Sequence, residues 1–159
     1  MPYELNLEVD DAVAHRVDQP ALLAMLDRVL AEDEVEDGAA VAIVLADDSL
    51  LHELNLRHRE VDAPTDVLSF PADEGEEFPT PEGEPRFLGD IVVSVEMVGR
   101  QAAEVGIAER DELAHVILHG LLHLLGYDHE EPEEEAVMKA REEAVLGPAI
   151  HAGRGAHED

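Results

Sequence analysis

Residues 119–129 read His-Gly-Leu-Leu-His-Leu-Leu-Gly-Tyr-Asp-His, and this stretch constrains the fold more than any other part of the chain. His119 and His123 are four residues apart, so on a helix they project from one face. Gly126 stands where a glycine commonly ends a helix and reverses the chain. That reversal could bring His129 back toward the first two rings. Three imidazoles with a fourth position left open form the pattern of a catalytic zinc site.

Histidines on a helix also occur as ordinary core residues, and this chain contains nine histidines. A glycine placed where the third ligand needs a turn favours the metal site over that alternative. We expect one zinc ion per chain because imidazole suits zinc, although nickel, copper or iron could occupy a three-histidine site. The chain has no cysteine, so thiolate ligands are excluded.

His115 lies four residues before His119 and extends the histidine stripe along the same helix. It could be a fourth ligand, a residue that supports a ligand, or a substrate contact. A partly buried polar residue near the site is an equal alternative. We assign it to substrate binding as a prediction.

The spacing of the motif also resembles that of the metzincin proteases, His-Glu-x-x-His-x-x-Gly-x-x-His. In those enzymes the glutamate after the first histidine is the general base. Here Gly120 occupies that position and cannot accept a proton. The predicted ligands are therefore present without the peptidase base, which favours a hydrolase with another substrate.

The composition indicates one strongly acidic domain. The 159 residues carry a net charge of −29, from 39 acidic and 10 basic residues. We predict a single domain over residues 1–150 and a disordered tail over residues 151–159. No secretory signal or membrane-length apolar run is present, so we expect a cytoplasmic protein without a membrane partner. The charge suits a solvated surface or a salt-rich cytoplasm and, taken alone, disfavours nucleic acid as a partner.

The apolar pattern predicts an α/β (α+β) domain in which a mixed sheet of about four strands packs against about five helices. The predicted strands cover residues 3–9, 41–46, 65–70 and 89–95. The predicted helices cover residues 21–30, 49–59, 96–105, 109–125 and 132–147. The long helix at 109–125 carries the first two predicted metal ligands. The proline-rich segment 71–87 is predicted to be a mobile surface loop.

Arg57-His58-Arg59 is the densest positive cluster in a chain with few cations. Arginine suits a planar, bidentate grip on phosphate. A helix C-terminus also commonly carries arginine because cations stabilise that end of the helix dipole. The cluster alone therefore does not identify a ligand.

Four segments resemble one known family and occur in its order. They are Leu-Asn-Leu-Arg-His-Arg at 54–59, Pro-Thr-Asp-Val-Leu-Ser-Phe-Pro at 64–71, Leu-Gly-Asp-Ile at 88–91, and the histidine motif at 119–129. Together they resemble the YbeY family of bacterial endoribonucleases, over roughly residues 40–146.

The resemblance implies a zincin-like fold and a zinc ion held by His119, His123 and His129. It also implies metal-assisted cleavage of single-stranded RNA, in maturation of the 16S rRNA 3′ end and in ribosome quality control. Arg59 matches the family's arginine implicated in cleavage and would stabilise charge on the phosphate. We predict that Arg57 contacts the substrate as well.

The expected partners are the 16S rRNA precursor and the small ribosomal subunit or a ribosomal protein, which could deliver RNA to so acidic a chain. Two other functions stay open. A zinc peptidase would share the ligands, although Gly120 argues against it. A non-catalytic ribosome-assembly factor with a structural zinc would suit the acidic charge.

Overall fold

The computed structural model describes residues 3–71, 87–127, 131–147 and 150, and within them confirms the predicted four-stranded mixed sheet and five α-helices. The strands are β1 (Glu4–Val9), β2 (Ala40–Ala46), β3 (Val67–Pro71) and β4 (Phe87–Ser94). The helices are α1 (Gln19–Glu32), α2 (Asp48–Arg59), α3 (Val95–Val105), α4 (Glu109–Leu124) and α5 (Pro132–Leu146). A short 3-10 helix, Ala14–Arg16, was not predicted.

Side-chain caps explain where several elements begin. The Asp18 carboxylate accepts a hydrogen bond from the backbone N–H of Ala21 at the start of α1. The Asp47 carboxylate accepts from the N–H of Leu50 at the start of α2. Each cap satisfies an N–H that has no partner inside its helix. β3 begins two residues later than predicted, because the Asp66 carboxylate turns back to accept from the N–H of Val67.

The strands lie in the order β1-β2-β4-β3, with β3 antiparallel at one edge and the other three parallel. Alternate residues of a strand face opposite sides of the sheet. On one side, Ile91 and Val93 join the main core, which includes α4. On the other, Leu68 and Val92 pack with Leu51 of α2. The helix α4 and the helix α2 therefore lie on opposite faces of the sheet.

Three predicted features lie wholly or largely outside the described residues: the loop, of which 72–86 are not described, the tail at 151–159, and the ligand His129. None of the described helices is long and apolar enough to cross a bilayer.

Gly120 allows α4 to lie close against the sheet. A Cβ atom at this position would be 2.9 Å from Cγ2 of Ile91 and 3.1 Å from Oγ of Ser69. The Ser69 hydroxyl also lies 3.5 Å from the carbonyl oxygen of Gly120. Both neighbours belong to packed strands, where a side chain has little room to move. The space that a side chain at position 120 would need is thus filled by residues of the sheet.

Gly120→Ala should destabilise the protein even though alanine is the better helix former by about 1 kcal/mol. Overpacking a close contact costs about 1–3 kcal/mol, so we expect a net loss of up to about 2 kcal/mol in the free energy of unfolding. Urea denaturation measures the free energy of unfolding. The control is Ala140→Gly at an exposed position of α5, which reports the difference in helix propensity between alanine and glycine without a packing contact. A Gly120→Ala protein that is more stable than the wild type by the full helix-propensity difference would contradict the close approach.

Candidate metal centre

The helix α4 places His119 and His123 one turn apart with their rings facing. Their Nε2 atoms are 3.2 Å apart, and the ring centroids are 4.7 Å apart at an interplanar angle of 80°. Two imidazole nitrogens that share one tetrahedral zinc, each about 2.0–2.1 Å from it, lie about 3.3 Å from each other. The observed separation therefore fits two ligands of one metal ion.

The other nitrogen of His119 is held by a carboxylate from α5. His119 Nδ1 lies 2.7 Å from Oε2 of Glu142, whose side chain is buried. A carboxylate that accepts from Nδ1–H fixes the tautomer that has its lone pair on Nε2. That lone pair is on the atom facing His123. The arrangement is the usual support of a metal-binding histidine and favours this use of His119.

The second oxygen of Glu142 continues the network to His115. His115 Nε2 lies 3.0 Å from Oε1 of Glu142, and its Nδ1 lies 3.1 Å from Oε1 of Glu112 on the same helix. His115 is 2% exposed and both carboxylates are 1% exposed. Buried charges are tolerated when they are paired and hydrogen-bonded, and here one imidazole separates two carboxylates.

This pairing shifts the ionisation of both central groups. Burial disfavours the charged ring of His115, but the hydrogen bonds with Glu112 and Glu142 outweigh it and raise the pKa of His115 to about 9. Burial alone would raise the pKa of Glu142, yet the hydrogen bonds from His115 and His119 hold that pKa well below its ordinary value. At neutral pH the network therefore contains a charged imidazole between carboxylates.

The burial of His115 bears on its predicted contact with the substrate. Both ring nitrogens face carboxylates, and only 2% of the residue is exposed. This position favours the alternative in which His115 supports a ligand from behind.

The third predicted ligand, His129, lies outside the described residues, so its place in the site stays a prediction. The described residues on its N-terminal side behave as expected. Gly126 has a φ of +100° just after the end of α4, in the region that favours glycine. Tyr127 then donates its N–H to the carbonyl of Leu122 and its hydroxyl to Asp33. Among the described residues no group of three possible ligands occurs.

The predicted cationic residues lie on the other face of the sheet from the histidine pair. Arg57 and Arg59 are exposed in the last turn of α2. Arg57 pairs with Glu53 at 2.7 Å, whereas Arg59 forms no ion pair with any described residue. Within the described chain, no hydrogen bond or ion pair joins either arginine to His119 or His123.

The edge strand β3 links these two faces through neighbouring residues. Ser69 contacts Gly120 of α4, and Phe70 contacts His58 of α2. The structure thus brings the two motif histidines together directly. Among the described elements, β3 contacts both their helix α4 and the arginine-bearing helix α2, as β4 and α3 also do.

Sequence reasoning missed Glu112 and Glu142, the two carboxylates behind the histidine pair. A signal existed for Glu112, which lies three and seven residues before His115 and His119 and so shares their helix face. Glu142 follows Met138 by four residues, and these two are the buried positions of α5. An acidic residue on an apolar stripe is the pattern that could have identified both.

Comparison with known proteins connects this geometry to a family. A family model described as Endoribonuclease YbeY matches residues 7–149. The chain belongs to the endoribonuclease YbeY family. Its relatives include the Endoribonuclease YbeY of Chloroflexus aggregans, 48% identical over 92% of this chain and 95% of the relative. The Endoribonuclease YbeY of Roseiflexus castenholzii is 45% identical over 90% of this chain and 91% of the relative.

A solved structure shows the same fold. The solution structure of TM1509 from Thermotoga maritima matches with a TM-score of 0.59 and 28% identity, over 90% of this chain and 89% of that protein. The resemblance inferred from the motifs is therefore confirmed for the family and the fold, and it reaches well beyond the four segments that first indicated it.

Glu142→Gln should lower the affinity for zinc about 10- to 100-fold, the usual effect of losing a carboxylate that supports a metal-binding histidine. Glutamine has one acceptor oxygen and cannot accept from both His115 and His119. Competition with a chromophoric chelator measures the affinity on full-length protein. The control is Glu135→Gln on the same helix, which pairs with Lys139 at the surface. Equal zinc affinity in the two variants would contradict the supporting role of Glu142.

Proposed function

We propose that this chain is a metal-dependent endoribonuclease that cleaves single-stranded RNA. The observation that carries the proposal is the facing pair of Nε2 atoms, 3.2 Å apart, with His119 anchored by Glu142. Membership in the endoribonuclease YbeY family supports the reaction class.

We propose zinc as the metal, held by His119, His123 and the His129 of the following turn. Imidazole donors suit zinc, and the absence of cysteine leaves histidine and carboxylate as ligands. When bound, the ion supplies Lewis acidity to the phosphate under attack. Glu142 keeps the His119 ring oriented, so that its Nε2 atom stays directed at the metal position.

Arg59 is proposed to stabilise the charge that develops on the scissile phosphate, and Arg57 to contact the RNA backbone. A guanidinium suits this task because it donates several hydrogen bonds from a fixed plane. Arg59 is exposed and forms no ion pair within the described chain, so a phosphate would not have to displace an ion-paired carboxylate there.

The proposed substrate is the 3′ region of the 16S rRNA precursor, with a further part in ribosome quality control in the cytoplasm. A net charge of −29 repels RNA over most of the surface. Delivery by the small ribosomal subunit or one of its proteins would overcome that repulsion, because the partner would hold the RNA near the site.

Two observations count against the other candidate functions. A peptidase base cannot be placed at Gly120 without displacing Ile91 and Ser69. A structural zinc usually has four protein ligands. The further histidine on α4, His115, is buried between two carboxylates and does not suit the fourth position.

The test is to measure RNA cleavage and metal content on the same full-length samples. The wild type should hold about one zinc ion and cleave single-stranded RNA but not casein, and a chelator should abolish cleavage. His123→Ala should lose both metal and activity. The control His52→Ala removes an exposed histidine that pairs with Asp62, and it should keep both.

The same assay separates the role of Arg59 from that of the metal. Arg59→Ala should keep its zinc and lose about 100-fold or more in cleavage rate, as when one donor to a developing charge is removed. Arg110→Ala removes another arginine that forms no ion pair within the described chain and should cleave normally. Full activity of Arg59→Ala, or cleavage of casein by the wild type, would overturn the proposal.

A further inference from the structure

His58 holds its ring against Phe70 at the protein surface. The ring centroids are 5.2 Å apart and the planes meet at 63°. His58 is exposed, whereas Phe70 is half-buried on β3. An edge-to-face contact of this kind is favourable and restricts the orientation of the exposed ring. The pair therefore presents an imidazole that is both oriented and open to solvent.

Arg59, next to His58, differs from most of the described lysine and arginine residues. Six of the described lysine and arginine residues form ion pairs with carboxylates, namely Arg16, Arg28, Arg57, Arg100, Lys139 and Arg141. Arg59 forms none with a described residue. The pair of Arg57 with Glu53 is weakly held, because its side chains are 63% and 60% exposed. Two guanidinium groups next to His58 can thus engage an anion.

Apolar side chains are also exposed around this turn. Leu56 is 50% exposed and Val61 is 41% exposed. An oriented ring, exposed apolar groups and available cations occur together here. Proteins that bind single-stranded nucleic acid combine two of these features, cations along the backbone and flat rings against the bases.

We propose that His58, backed by Phe70, is a stacking platform for one base of the single-stranded RNA, with Arg57 and Arg59 on the adjoining phosphates. The proposal rests on the proposed endoribonuclease function and adds a base-binding position to it. A base that is paired inside a duplex cannot place its face on His58, so the platform also accounts for selection of single strands.

The position of β3 relates the platform to the metal centre. Ser69, which contacts α4 beside His119, and Phe70, which supports His58, are consecutive residues with Cα atoms about 3.8 Å apart. Their side chains point to opposite faces of the sheet. An RNA strand that reaches both sites would cross the edge strand β3, and the phosphate that Arg59 contacts beside the stacked base is then the scissile one.

The test measures the binding of a fluorescein-labelled, 2′-O-methyl single-stranded oligonucleotide to full-length, metal-loaded protein by anisotropy, with a gel to confirm that the oligonucleotide stays intact. His58→Ala should weaken binding about five- to 150-fold, the effect of removing one stacking partner. His58→Tyr and His58→Phe, which keep a flat ring, should bind within about twofold of the wild type. The control His52→Ala removes another exposed imidazole of α2 and should bind normally.

A second oligonucleotide with the same backbone but abasic positions identifies the contact. Wild type and His58→Ala should bind it equally, because no base remains to stack. Normal binding of the full oligonucleotide by His58→Ala, or equal losses on both oligonucleotides, would overturn the platform and leave the turn as a surface for a protein partner. Absence of any binding by the wild type would overturn the proposed function as well, whereas binding that is insensitive to His58 overturns the platform alone.

Discussion

The Glu142 carboxylate reaches from α5 into the interior and binds two histidines of α4, at 2.7 Å from His119 and 3.0 Å from His115. Burying a carboxylate without such partners would destabilise the fold by several kcal/mol. The free energy of unfolding therefore depends on both histidine rings being in place. The same contacts dock α5 on α4 and orient the Nε2 atom of His119. The packing of α5 on α4 and the orientation of His119 for metal binding therefore depend on the same carboxylate. A substitution of Glu142 should affect both.

The close contact between α4 and the edge of the sheet sets the second constraint. Gly120 leaves no side chain between the helix and the strands, so α4 lies directly against Ser69 of β3 and Ile91 of β4. This contact explains why the position of the protease base holds glycine, which sequence comparison alone could only report as a difference. The edge strand β3 also contacts both α4, through Ser69, and α2, through Phe70.

The histidine pair, the helix that carries it, the capping residues Asp18 and Asp47, and the four strand segments were predictable from the sequence. Each depends on residues close together in the chain, where helical or alternating spacing determines the geometry. The partnership of Glu142 with His115 was not predictable, because it joins residues 27 apart and Glu142 is one of 39 acidic residues. The placement of α2 and α4 on opposite faces depended on strand order, which local patterns do not encode.

The most direct test of the metal centre is X-ray absorption spectroscopy of the full-length protein loaded with one equivalent of zinc. The fitted first shell should contain three imidazole nitrogens at about 2.0–2.1 Å with one further oxygen ligand, and the outer-shell scattering of the rings should require three histidines. A shell made of oxygen ligands alone, or one that needs fewer than two histidines, would contradict the assignment of His119 and His123 as a metal-binding pair.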